Sequence, residues 1–161
     1  MVNGVTPSDV MVGQSATAQG DLHATRWSGE EVLDLTPGTG IMSEALAVNT
    51  RLTIVGQRNA HAWFWTPQGG QDLGTLPGGG QATLVAINTL DIAVGTHSPA
   101  GAVAPGQAIR WAGGALEDLN TLVEAPGWVL ESAVGINDRG VIAGMGRFQG
   151  QPRGWLLVPG V

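Results

Sequence analysis

Apolar residues in this chain come in short runs, each ended within a few positions by Gly, Pro, Asn or a polar cluster. The stretch from Val48 to Pro77 shows the pattern: Val48-Asn49, Thr53-Ile54-Val55-Gly56, His61-Ala62-Trp63-Phe64-Trp65, then Gln71-Asp72-Leu73-Gly74-Thr75-Leu76-Pro77. Runs of this length, rich in β-branched and aromatic residues and bounded by turn formers, predict short strands joined by tight turns. No stretch sustains a helical period. Ser43 to Val48 is ambiguous and reads as strand.

The same unit recurs along the chain, and the recurrence is a stronger signal than any single run. A strand ending in Gly appears as Val10-Met11-Val12-Gly13, Thr53-Ile54-Val55-Gly56, Ile92-Ala93-Val94-Gly95 and Val141-Ile142-Ala143-Gly144. At a fixed distance before each Gly stands Thr6, Asn49, Asn88 or Asn137. Asn tolerates left-handed dihedrals and bonds its own backbone, so this spacing predicts a hairpin turn. An aromatic segment follows: Ala24-Thr25-Arg26-Trp27, Ala62 to Trp65, Ala108-Ile109-Arg110-Trp111 and Gly154-Trp155-Leu156-Leu157. The first three copies then reach Asp34-Leu35, Asp72-Leu73 and Asp118-Leu119 across Gly-rich turns.

Each unit therefore predicts four strands: A ending at the Asn, B at the Gly, C at the Trp and D at the Asp. Successive Gly anchors are 43, 39 and 49 residues apart. Four short strands in such a period suit a propeller blade. The expected fold is all-β, a small β-propeller of about four blades in one domain spanning 1–161, with blades near 1–44, 45–83, 84–132 and 133–161. The last copy ends before a fourth strand, and an unpaired edge needs cover. A three-stranded blade, a closing terminal segment or self-association through that incomplete blade would each provide it.

Composition narrows the function classes. The chain has no Cys, so neither disulfides nor thiolate chemistry operates. Seven Lys plus Arg, all of them Arg, face 13 acids, for a net charge of −6. The Arg residues are scattered, so no basic stripe exists for a nucleic-acid backbone. No apolar run is long enough to span a membrane as a helix. Met1-Val2-Asn3-Gly4 shows neither the basic nor the apolar region of a signal peptide.

The string Gln71 to Gly79, the Ala86-Ile87-Asn88 strand, the Val-Gly strand ends and the His61 to Trp65 run resemble the bacterial repeats known as the probable extracellular HAF family. In that family an Arg or His-Ala-Phe-Leu-Trp segment precedes Asp-Leu-Gly-Thr-Leu-Pro-Gly-Gly. The resemblance covers the whole chain and is closest from Val48 to Asn88. It departs at Thr6, in place of Asn, and at Leu157, in place of Trp. It implies a propeller-like repeat and export, and it carries over no catalytic residue.

In an up-and-down blade the A–B and C–D turns share one face, and the B–C and D–A connections share the other. Here the A–B turns are uniform, whereas the B–C and D–A connections vary in length. Binding faces are commonly built from variable loops on a uniform scaffold. Candidates on that face are Arg58, His97, Glu124, Trp128, Arg147 and Phe148. Trp128 lies in a Pro-Gly stretch that no other copy matches, as a ligand platform or packed on its own blade. His97 with Glu124 or Arg147 offers a general base in a small enzyme (a lyase, cyclase or hydrolase), the alternative to a non-catalytic module binding a glycan, small molecule or protein. The repeated Trp27, Trp65 and Trp111 alternate with Leu157, which points to packing between blades. Asp34, Asp72 and Asp118 suit caps for neighbouring N–H groups. His23, His61, Gln107 and Arg153 share one position, and Gln and Arg complete no zinc set. Gly74 to Gly80 lacks the Lys and following helix of a phosphate loop. No metal, cofactor or nucleophile–base set is expected from the sequence.

Overall fold

A computed structural model describes residues 1–101 and 106–160. Four antiparallel sheets follow one another along the chain, each a meander in strand order. The first holds β1 (Val2–Val5), β2 (Val10–Ala16), β3 (Leu22–Ser28) and β4 (Glu31–Asp34). The second holds β5 (Ser43–Val48), β6 (Ile54–Arg58), β7 (His61–Thr66) and β8 (Gly69–Gly74). The third holds β9 (Gly80–Ile87), β10 (Ala93–Pro99), β11 (Gln107–Ala112) and β12 (Ala115–Asp118). The fourth has three strands, β13 (Trp128–Ile136), β14 (Ile142–Phe148) and β15 (Gln151–Leu157). One short helix, α1 (Leu119–Leu122), lies between β12 and β13.

The recurring residues explain why each unit folds alike. At the A–B turn the Asn side chain replaces a turn of backbone. Asn49 Oδ1 accepts from the backbone N–H groups of Arg51 and Thr53, each at 3.0 Å. Asn88 does the same for Leu90 and Ile92, and Asn137 for Arg139 and Val141. Thr6 keeps part of this role through Oγ1, which accepts from Val10 N–H at 3.1 Å. The turn ends in a left-handed residue in every copy: Asp9, Leu52, Asp91 and Gly140.

The Gly that closes each B strand is required by crowding. A Cβ at Gly13, Gly56, Gly95 or Gly144 would collide with a backbone carbonyl of the adjacent A strand: Met1, Glu44, Thr83 or Ser132 respectively. Beside each of these contacts the A–B pairing shifts register, so a bulge and a Gly recur together. A bulge bends its strand and increases the local twist, and the bare Gly backbone lets the bent strand approach.

Consecutive sheets pack face to face. In an antiparallel pair, directly opposed residues share a face, so each sheet has one face toward the sheet before it and one toward the sheet after. Val12 and Ala24 of the first sheet pack with Ala45, Ile54 and Trp65 of the second. Val55 and Ala62 of the second pack with Leu84, Ala93 and Ile109 of the third. Val94 and Ala108 of the third pack with Leu130, Ile142 and Trp155 of the fourth. Trp65 is buried at one such joint, and Trp111 stacks on Phe64 with ring centroids 4.9 Å apart at the next. The recurring Trp position fills volume between sheets. No comparable packing joins the first sheet to the fourth among the described residues.

An Asn ladder ties the sheets at the A–B turns. Asn49 Nδ2 donates to the backbone carbonyl of Asn88 at 2.8 Å, and Asn88 Nδ2 donates to that of Asn137 at 3.1 Å. The second and third repeats thus each hand a side-chain amide to the same position of the next. Flanking contacts extend the ladder: Asn49 Nδ2 also reaches Asp91 Oδ1, and Thr89 N–H donates to Asp138 Oδ1 at 2.9 Å.

Several local expectations need correction. His97 is not a loop residue but lies within β10, 1 % exposed. Trp128 opens β13 instead of sitting in a loop, and Arg147 and Phe148 close β14. In each case the strands run further toward the variable face than the turn signals suggest. Part of the long connection after β10 lies at 102–105, outside the described residues. The helix α1 was not anticipated from the periodicity; Asp118 caps it by accepting from Asn120 N–H at 2.8 Å, the role Asp34 and Asp72 play for the backbone N–H groups of Thr36 and Gly74.

Candidate functional site

Of the six residues nominated from the sequence, the structure brings Trp128, Arg147 and Phe148 together at one end of the β13–β14 pair and sets Arg58, His97 and Glu124 on other segments. His97 has both ring nitrogens engaged: Nδ1 with Gln107 Oε1 at 2.9 Å and Nε2 with the Gly79 carbonyl at 3.1 Å. Gln107 in turn donates to Asp118 Oδ2 at 2.8 Å. This buried chain pins β10 to β11 and to the connection from the second sheet, and it leaves no ring nitrogen free to act as a base. Glu124 stands exposed between α1 and β13. Arg147 Nε donates to Glu131 Oε1 at 2.7 Å across the β13–β14 pair. Trp128 and Phe148 are cross-strand partners whose rings lie 5.2 Å apart, so the Trp packs on its own sheet. Arg58, by contrast, lines a surface hollow.

That hollow belongs to the β6–β7 hairpin. Asn59 and Ala60 form its turn, and both sit at positive φ, 47° and 71°. Asn adopts left-handed backbone readily, so the cost, on the order of 1 kcal/mol, falls on Ala60. Hydrogen bonds from both sides hold the turn in this state. Asn59 N–H donates to the Met42 carbonyl at 2.9 Å, and Met42 N–H donates to Asn59 Oδ1 at 3.0 Å. From the other side Ala82 N–H donates to the Ala60 carbonyl at 2.8 Å. The turn is therefore clasped by the segment entering its own sheet and by the first strand of the next.

Two polar hollows flank this clasped turn, and Asn59 borders both. One, of about 310 Å³, is lined by Arg58, Asn59, His61, Trp63 and Asp72. The Arg58 guanidinium lies over the Trp63 ring, 4.6 Å from its centroid. His61 Nδ1 meets the Asp72 carboxylate at 2.9 Å, and Asp72 Oδ1 also accepts from Gly74 N–H at 2.7 Å. The other, of about 230 Å³, is lined by Gln14, Glu44, Gln57, Gln81 and the Met42–Ser43 and Asn59–Ala60 segments. Gln81 Nε2 donates to Gln57 Oε1 at 2.9 Å, and Thr83 Oγ1 donates to the same oxygen at 3.3 Å.

Gln14 and Gln57 occupy the same repeat position, directly after the anchor Gly, so copies from successive sheets converge on one hollow. The sequence shows the repeat, but not that this position faces a shared space. The His61–Asp72 pair recurs as His23–Asp34 at 2.7 Å and Gln107–Asp118 at 2.8 Å. The shared His/Gln position thus holds the D-strand Asp in place. Among the described residues no three His, Asp or Glu side chains converge as a metal site would require.

The site is thus a polar rim of planar amides, a guanidinium lying over Trp63 and a His–carboxylate pair, with no nucleophile beside a free base among the described residues. Comparison of the chain with family models, with curated proteins and with solved structures yields no match.

Proposed function

We infer that this chain is a non-catalytic binding module, a propeller-type repeat of the HAF kind, whose β6–β7 rim takes a carbohydrate. The single observation that carries the reading is the Asn59–Ala60 turn, held in a left-handed conformation between two polar hollows by hydrogen bonds from both sides. Strained backbone kept rigid by its surroundings clusters at ligand-binding edges, where pre-organisation reduces the entropy lost on binding. Gln57 and Gln81, bonded to each other, leave the Gln57 Nε2 donor and the Gln81 Oε1 acceptor, and with the Gln14 amide these match the vicinal hydroxyls of a sugar. Arg58, splinted on Trp63, adds a cationic fork for an acidic sugar. The propeller reading draws on the four meanders packed in chain order, and the HAF reading on the repeated strings quoted above.

Titration calorimetry against a panel of neutral and acidic oligosaccharides tests this. The expected result is binding by at least one class, weakened about tenfold or more by Gln57→Ala or Arg58→Ala, the loss of one or two polar contacts. Binding by no saccharide, or binding indifferent to both substitutions, refutes the assignment.

A further inference from the structure

We propose that the buried chain from Gly79 through His97 and Gln107 to Asp118 is a proton-operated latch: with one added proton it holds the segment from Gly79 to Ala82 in place, and without that proton it releases it. The argument is a count of hydrogens. The chain has three links: His97 Nε2 to the Gly79 carbonyl at 3.1 Å, His97 Nδ1 to Gln107 Oε1 at 2.9 Å, and Gln107 Nε2 to Asp118 Oδ2 at 2.8 Å. Each link needs a hydrogen between its two heavy atoms. A carbonyl and an ionised carboxylate bring none, and a neutral imidazole brings one. An amide placed between two partners donates to one and accepts from the other, so it also brings one. Two hydrogens do not make three links. Turning the Gln107 amide over only moves the deficit from His97 to Asp118. The complete chain therefore holds one proton more than a neutral histidine with an ionised aspartate. His97 is 1 % exposed, so bulk water offers no substitute partner.

β9, β11 and β13 pack against β10, which carries His97. β9 has no titratable side chain, Arg110 of β11 is bonded to Glu117, and Glu131 of β13 is bonded to Arg147. Among the described residues, Asp118 is thus the titratable group joined to the ring, and its other oxygen, Oδ1, accepts from Asn120 N–H and Nδ2. By linkage, the latched state, which binds the extra proton, is favoured as pH falls and lost as pH rises. The latch regulates the β6–β7 rim, a role that rests on the carbohydrate reading above. Gly79 leads directly into β9, where Gln81 Nε2 donates to Gln57 Oε1 and Ala82 N–H donates to the Ala60 carbonyl of the left-handed turn. Ala82 also stands directly opposite His97 in the β9–β10 pair. Loss of the proton leaves two acceptors facing each other within the chain, so the entry to β9 loosens and its hold on the turn loosens with it.

NMR through the pH range in which histidine changes charge tests the latch, reading the His97 ring nitrogens, the Asp118 carboxyl carbon and the backbone amides of Asn59, Ala60 and Gly79 to Ala82. At the acid end the ring and the carboxyl should hold two protons between them, and at the alkaline end one. The backbone signals of both segments should shift in step with that loss. Asp118→Asn is the decisive variant. Its amide keeps the acceptor that Asn120 uses and brings the third hydrogen itself, so the chain is complete with a neutral ring. Far-UV circular dichroism should be unchanged, and the shift of the two segments with pH should disappear. A ring and carboxyl that keep the same number of protons at every pH would overturn the latch, as would a variant whose segments shift like those of the parent. Signals of Asn59 and Ala60 that stay still while Gly79 to Ala82 move would overturn its link to the rim. The measurement uses no saccharide, so the latch stands or falls separately from the carbohydrate assignment.

Discussion

Replacing Asn88 is the sharpest probe of how the repeats are tied together. Its side chain is 3 % exposed and makes three hydrogen bonds: Oδ1 accepts from Leu90 and Ile92 N–H, and Nδ2 donates to the Asn137 carbonyl. Asn88→Ala removes all three and leaves two turn N–H groups without their partner. At a net of about 1 kcal/mol per bond, with a further penalty for each buried donor left unpaired, the loss should be about 3–5 kcal/mol. Asn137→Ala removes the same two turn bonds at an exposed position, where water replaces them, and should cost about 1 kcal/mol. Asn88→Thr copies the natural state at Thr6, keeping an acceptor for the turn but losing the inter-sheet donor, and should fall between them. Urea unfolding followed by tryptophan fluorescence measures all three, with the slope checked for constancy because repeat arrays can lose cooperativity. In a chain of this size about 1 kcal/mol shifts Tm by about 2–4 °C, so Asn88→Ala should stand well clear of Asn137→Ala. Equal losses for Asn88→Ala and Asn137→Ala would show that the ladder contributes nothing, and the reasoning would fail.

Other expectations follow from single contacts. Gly56→Ala places a Cβ against the Glu44 carbonyl in a buried bulge and should cost about 3 kcal/mol or more, read from the same unfolding curves. Trp65→Ala opens the joint between the first two sheets and should cost about 3–5 kcal/mol, while Trp65→Leu should be milder, as Leu157 serves the same position in the last copy. The hydrogen bond from Thr89 N–H holds the exposed Asp138 carboxyl below its usual value. A depressed folded-state pKa gives stability that is present above the ordinary carboxylate range and fades as pH falls through the depressed value. Asp138→Asn should therefore lower Tm slightly near neutrality, with the two curves converging in acid; a constant offset at all pH values would contradict this.

Much of the fold was legible in the sequence because the signals are local. Asn49, Asn88 and Asn137 close their own turns, and their spacing from the anchor Gly is fixed by hairpin geometry within one unit. The alternation around Val55 and Phe64 divides each strand into two faces whichever sheet lies opposite. Even the ambiguous Ser43 to Val48 is a strand, since it pairs with the plain Thr53 to Gly56 run, which the structure extends to Arg58.

The candidate site was less legible, because burial and convergence depend on partners far along the chain. His97 looked like a free loop histidine until Gly79 and Gln107 took both its nitrogens. For Trp128 the sequence leaves platform and packing both open, and the ring of Phe148 beside it comes from a strand that only the fold places there. The strained Asn59–Ala60 turn gave no sequence signal, as its clasp comes from Met42 and Ala82 on neighbouring units. The repeated residues alone thus determined the shape of one unit. Stacking the units decided which copies of the same residue are buried and which remain open at the ends, since an identical side chain is core or surface according to whether another sheet lies against it.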